Sequence, residues 1–180
     1  YLSNALGWRT AGSDAEHRAA DYRADKMREI GLTYFEKVAI NVDKWQFNDA
    51  SLMIAGTDVD IMPASYATNG TGLEGITAEI VDVGRGHAAD YEGKDVTGKI
   101  VVAGADQWND AWIDKYMNEA KLHGAAAIIT YSLESGYAAF SDDMINMQDL
   151  CSRDLMPCVS ISRNQYREIA AAIEAGHTEA

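Results

Sequence analysis

Three stretches of the chain carry apolar residues at helical spacing between matched start and stop signals. The first follows Ser13-Asp14-Ala15-Glu16, an S-x-x-E capping box whose two side chains can satisfy backbone N–H groups at a helix start. Ala20, Ala24, Met27 and Ile30 then recur every three or four positions, and Gly31 supplies the stop. A second helix is predicted after Asn109-Asp110, with Ile113, Tyr116, Met117 and Ala120 as its inner face and Gly124 at its end. The third opens on Ser162-Arg163-Asn164-Gln165, an S-x-x-Q box. Tyr166, Ile169, Ala170 and Ile173 form its inner face, and Gly176 ends it.

Strand patterns fill most of the rest. Val38, Ile40 and Val42 alternate with Ala39, Asn41 and Asp43. The apolar phase then shifts to Trp45 and Phe47, which predicts a bulge or break near Asp43-Lys44. Residues 51–55 and 76–83 read as short strands ending at Gly56 and Gly84. Residues 99–103, 126–131 and 158–161 are apolar runs of the kind that form buried strands. Residues 65–75 include Asn69-Gly70 and two further glycines and read as a loop. Residues 132–157 are long, acidic and Met-containing, and no boundary is assigned within them. The order is helix, several strands, then strand-helix-strand-helix, which predicts mixed α and β around one sheet system.

Composition narrows the function classes. At 180 residues, 47% of them hydrophobic and 24% charged, the chain can hold a core without disulfide staples. No apolar run approaches a membrane span. Fifteen basic residues stand against 28 acidic ones, a net charge of −13. Such a surface repels phosphate backbones and anionic bilayers, so neither nucleic acid nor a membrane is expected as a partner. The chain opens on Tyr1 with no basic segment and apolar core of a signal peptide behind it, so it is read as part of something longer.

The search for catalytic motifs is mostly negative. No P-loop, H-E-x-x-H or G-x-S-x-G occurs. Gly84-Arg85-Gly86-His87 looks like a phosphate loop but lacks the third glycine opening a helix. Glu119 and His123 share a helix face, where they form either a metal-touching pair or a solvated pair near a helix C-terminus. Asp58-Val59-Asp60 and Asp142-Asp143 are carboxylate pairs without an EF-hand frame, and solvated turns are the expected reading. Cys151 and Cys158 read as two free thiols, with a short-loop disulfide as the alternative. Trp108 and Trp112 bracket a helix start among polar neighbours, either as a core staple or as a recognition loop. No nucleophile, base and orienting group emerge together, so no catalytic and no metal-binding residues are assigned.

Several segments in order resemble the protease-associated (PA) domain. Asp82-Val83-Gly84 and Asp95-Val96-Thr97-Gly98 are similar to its early turns, and Gly98-Lys99-Ile100-Val101-Val102 to its G-K-I strand. The run from Glu119 through His123-Gly124-Ala125-Ala126-Ala127-Ile128-Ile129 resembles its helix end and next strand, and Met156-Pro157-Cys158-Val159-Ser160-Ile161 its closing strand. Arg9-Thr10-Ala11-Gly12-Ser13 and the helix ending Glu29-Ile30-Gly31-Leu32 resemble the start of zinc aminopeptidases related to the glutamate carboxypeptidase and transferrin-receptor group. In that group a PA domain is inserted after the first helix and strand of the peptidase domain.

The resemblance implies an α+β chain: a mostly β sandwich or open barrel flanked by helices, preceded by an N-terminal helix and strand. Residues 1–48 would be the edge of a peptidase domain and 49–180 a PA-like domain. It implies a non-catalytic part of a zinc-dependent exopeptidase, an aminopeptidase, that walls the active-site cleft and helps select peptides. Zinc is expected in the full-length parent and not in this chain. The partners implied are the remainder of the peptidase domain and a peptide, and the place is secreted, periplasmic or at the cell surface. A stand-alone PA-type interaction or sorting module is the alternative, and a small self-sufficient α/β enzyme a third reading. The loop after the G-K-I strand is the family's substrate-facing one. It makes Asp106, Gln107, Trp108 and Asp110 the substrate-facing candidates, with Asp106 or Asp110 suited to an ammonium.

Overall fold

The computed structural model describes every residue except 43, 60, 64–69, 135–140 and 147–155. The chain divides into two compact units, Tyr1–Gln46 and Phe47–Ala180.

In the first unit one helix, α1 (Asp14–Glu29), forms where the capping box predicts it. The Ser13 hydroxyl accepts from Glu16 N–H at 3.1 Å, and the Glu16 carboxylate reaches back to Gly12 N–H at 2.9 Å, one residue earlier than in the standard box. Acidic Asp14 and Glu16 in the first turn and Lys26 and Arg28 in the last complement the helix dipole. Ala19 and Ala24 are buried, whereas Ile30 is exposed. The strand expected over Val38, Ile40 and Val42 does not form: these residues lie outside any ladder and all three side chains are exposed. Alternation prepares a strand, but a strand exists only when a neighbour accepts its hydrogen bonds.

The second unit begins with a hairpin, β1 (Leu52–Ile54) and β2 (Thr57–Val59). Ala55 and Gly56 make its two-residue turn, both with positive φ as such tight turns demand. The main sheet contains β3 (Met62–Pro63), β4 (Ile80–Asp82), β5 (Ile100–Ala105), β6 (Ala127–Ser132) and β7 (Cys158–Ile161), in the order β3-β7-β6-β5-β4. Strands β4 to β7 are mutually parallel, and β3 joins the β7 edge antiparallel. At the other edge the chain end returns beside β4, with Ala78 and Ala180 exchanging backbone hydrogen bonds at 2.9 Å. The mixed helix-and-strand class is as expected, and the sheet stays open instead of closing into a barrel.

Period-two alternation along β5 sends side chains to both faces. Val101, Ala103 and Ala105 meet α2 (Ile113–Leu122) through Ile113, Tyr116, Met117 and Ala120. Ile100 and Val102 face the opposite side, where Ile169 of α3 (Arg163–Glu174) packs with Ile129, Tyr131 and Ile161. A sheet buried on both faces requires continuous apolar strands, which is why β5 and β6 lack alternating polarity. The capping box at Ser162 forms in full: its hydroxyl accepts from Gln165 N–H at 3.2 Å, and Gln165 accepts from Ser162 N–H at 2.7 Å.

Most boundaries shift by one or two residues, and two differ by more. The strand expected over residues 76–83 shortens to β4, because only this stretch aligns with β5. Helix α2 starts at Ile113, with Trp112 as its N-cap, instead of directly after Asn109-Asp110. The amides of those two residues bond back to Asp106 and so belong to the preceding turn.

Candidate functional site

In parallel sheets, ligand-binding loops gather beyond the carboxyl ends of the strands. Two loops meet there: Gly84–His87 after β4, and Asp106–Trp112 between β5 and α2. The second contains all of the substrate-facing candidates predicted from sequence.

Asp106 is buried. Its carboxylate accepts from Asn109 N–H at 3.0 Å and from Asn109 Nδ2, and its carbonyl accepts from Asp110 N–H at 3.0 Å. This is an aspartate that folds its own turn, the use for which short carboxylates are favoured in loops. Arg85 Nη2 lies 3.5 Å from Asp106 Oδ2, so a cation from the neighbouring loop already faces the carboxylate.

Asp110 accepts from three side chains: Lys115 Nζ at 2.7 Å, His87 Nε2 at 2.5 Å and Tyr116 Oη at 3.0 Å. The bonds from Lys115 and His87 hold its carboxyl well below the usual carboxylate range. Tyr116 is fully buried on α2, and its hydroxyl also accepts from Asp106 N–H at 3.1 Å. Burial, with the Asp110 carboxylate beside it, pushes the phenol up to about 12, so Tyr116 keeps its proton at neutral pH. One hydroxyl thereby ties both aspartates to the helix.

Gln107 accepts from Asn146 Nδ2. Trp108 is 73% exposed and Trp112 58%, so neither indole is a core staple. Of the four candidates, Asp106 and Asp110 are engaged within the protein, Gln107 bonds a neighbouring loop, and Trp108 presents the large surface.

The sequence reading missed Arg85, His87, Lys115 and Tyr116 as members of this cluster. Tyr116 read correctly as an inner-face residue, but its hydroxyl partners lie six and ten positions upstream. The signal for the other loop was Gly84-Arg85-Gly86-His87. Its amides bond within the protein: Gly84 N–H to Asp82 Oδ1, Gly86 N–H to the Val83 carbonyl and His87 N–H to Asp90 Oδ2. Gly84 supplies a positive φ of +59°, and Gly86 serves close packing: a Cβ on it, at φ +66°, would stand 3.0 Å from Ala103 Cβ.

The other constellations resolve as local pairs. His123 bonds Glu119 at 3.2 Å and stacks on Tyr91 with ring centroids 4.3 Å apart. Asp142 accepts from Arg163 and Arg167, each at 2.7 Å, and Asp143 from Asn164 at 2.6 Å. Asp58 lies on β2, and Asp60 falls outside the described residues. Cys158 is a buried free thiol, while Cys151 falls outside the described residues. Among the described residues no three His, Cys, Asp or Glu side chains converge on a metal position. A zinc site needs three or four such ligands, so these residues do not fit one. Among the described residues no helix is long and apolar enough to cross a membrane.

Comparison with known proteins adds relatives. Residues 76–169 match the PA domain. Aminopeptidase YwaD of Bacillus subtilis is 30% identical over 134 residues, which cover 73% of this chain and 27% of that protein. Minor extracellular protease Vpr of the same organism is 32% identical over 101 residues, 56% of this chain and 11% of its own length. Among solved structures, BSAP, a zinc aminopeptidase from Bacillus subtilis, matches 99% of this chain and 39% of its own, with a TM-score of 0.70 and 24% identity. The chain thus spans well under half the length of each of these proteins.

Proposed function

The chain belongs to the PA domain family, and from that premise we propose that it is the non-catalytic accessory part of a zinc-dependent aminopeptidase. In this reading residues 49–180 wall the active-site cleft and help select peptides, and residues 1–48 are the edge of the peptidase domain itself, a division two residues from that between the compact units. The observation that carries the reading is the identity with an aminopeptidase over most of the chain. The likeness in fold extends through the first unit as well as the second, which supports a continuous stretch of such an enzyme. Exposed Tyr34, Val38 and Ile40 support it too, because the missing part of a peptidase domain would cover them.

Zinc, bound by ligands outside this chain, would supply a Lewis acid and an activated water for peptide hydrolysis. The described residues of this chain take no part in that chemistry. Their share is shape: a rigid loop cluster at the strand ends that meets the substrate and excludes solvent. Asp106, Gln107, Trp108 and Asp110 are the residues proposed to face the peptide, directly or by holding the loop. A location outside the cytoplasm fits the extracellular relative.

The test is to express the parent protein and measure release of amino-terminal residues from short peptides, before and after chelation and zinc restoration. This chain alone should show no turnover. A parent with chelator-sensitive aminopeptidase activity that falls in Trp108→Ala supports the reading. A parent that hydrolyses nothing but captures proteins would instead favour a stand-alone sorting or interaction module.

A further inference from the structure

The charge inventory of the two loops points to a substrate class. On the resemblance alone, Asp106 or Asp110 would suit a cationic amine. Their geometry argues otherwise. Asp106 is buried, bonded to Asn109 and faced by Arg85. Asp110 already receives Lys115, His87 and the Tyr116 hydroxyl. A substrate ammonium would have to displace a cation from each carboxylate, and the incoming contact would only replace the one lost. Each of these two carboxylates is already faced by a side-chain cation, Arg85 at Asp106 and Lys115 at Asp110. The group that projects is Trp108, 73% exposed on the turn that these bonds hold in place. An indole set on a rigid turn offers a large contact area at small entropic cost.

We propose that this loop reads an apolar or aromatic side chain of the peptide through Trp108. Asp106 and Asp110 are positioning residues, fixed with Tyr116 and His87, and do not seat the substrate's ammonium. The proposal rests on the reading of this loop as substrate-facing. Tyr116 anchors the Asp106 amide and the Asp110 carboxylate to α2, and His87 anchors Asp110 to the β4 loop. The turn between them is therefore set before any peptide arrives.

The experiment uses the full-length parent and alanine pentapeptides carrying a single Phe or a single Lys at each position in turn. Wild-type protein should prefer Phe over Lys at one or more positions in kcat/KM. Trp108→Ala should reduce kcat/KM for Phe at that position by about tenfold, mostly through KM, and erase the preference. Asp110→Asn removes the carboxylate charge while nearly keeping its shape. Under the proposal it lowers kcat/KM for Lys peptides no more than for Phe peptides, because Asp110 only positions the turn. The proposal is overturned if Lys is preferred at the Trp108-sensitive position, or if Asp110→Asn lowers kcat/KM selectively for Lys, because Asp110 would then be reading the cation. If Trp108→Ala and Asp110→Asn both leave every position unchanged, the loop does not face the substrate, and the underlying reading falls with the proposal.

Discussion

Tyr116 Oη accepts a hydrogen bond from Asp106 N–H at 3.1 Å across ten residues of chain. The same oxygen donates to Asp110 Oδ2 at 3.0 Å, so a single buried hydroxyl joins the end of β5, the following turn and α2. Loops at strand ends are usually the mobile part of a fold. This one is held from beneath by a core side chain.

Removing that hydroxyl should therefore cost stability. Tyr116→Phe keeps the packing but leaves the Asp106 N–H without its acceptor, a loss of about 1–3 kcal/mol. Urea unfolding of the chain should show the midpoint drop with little change in slope. A Tyr116→Phe midpoint equal to wild type would mean that the hydroxyl contributes nothing to the fold.

Asp106→Ala and Trp108→Ala should behave differently from one another. Asp106 is buried and caps its own turn, so its loss should destabilise by about 1–2 kcal/mol. Trp108 is mostly exposed, and its loss should stay within about 0.5 kcal/mol. Thermal melts of both variants give the comparison, and equal shifts would contradict the division between a positioning aspartate and a contacting tryptophan.

The acid limb of stability should carry the signature of Asp110. Its folded-state pKa lies below its unfolded value, so its contribution is fully present above the ordinary carboxylate range near ~4. That contribution is lost as pH falls from there through the depressed folded value. Asp110→Asn should lower Tm at pH 7, and its difference from wild type should shrink steadily as pH falls below ~4. A constant Tm difference across that window would rule out this linkage.

Gly104 on β5 should tolerate no side chain. An added Cβ would lie 2.8 Å from Leu133 Cδ2 and from Cζ and Oη of Tyr131, which itself stacks on Tyr166 at 3.8 Å. Gly104→Ala should destabilise by about 1–3 kcal/mol through overpacking. A Tm within a degree of wild type would mean that the Tyr131–Tyr166 stack shifts freely.

Cys158 is buried and free, and burial pushes its thiol pKa up. It should resist iodoacetamide at pH 8 in the native chain and react once the chain is unfolded. Peptide mass mapping would read both states, and rapid native labelling would place Cys158 nearer the surface than it stands here.

Much of the second unit was legible in the sequence because its signals are local. The Ser162 box, the helical spacing of Ile113, Tyr116, Met117 and Ala120, and the runs in β5, β6 and β7 each depend on residues a few positions apart. Backbone sterics and side-chain burial read such spacing directly. The same holds for α1 and its cap at Ser13. Likewise, the acidic balance and the absence of an apolar span follow from residue counts. What the sequence could not decide was pairing. Val38, Ile40 and Val42 carry a strand pattern without a ladder, because the hydrogen bonds of a strand belong to its neighbour. The parallel order of β4 to β7 arises from which apolar runs face each other once α2 and α3 cover opposite sides. The roles of Asp106 and Asp110 were likewise beyond reach: a carboxylate in a loop looks the same in sequence whether it faces a ligand or Arg85, His87, Lys115 and Tyr116. Only the tertiary structure brings those four side chains to the same turn, and electrostatics over a few ångströms, unlike helical periodicity, leaves no imprint on sequence spacing.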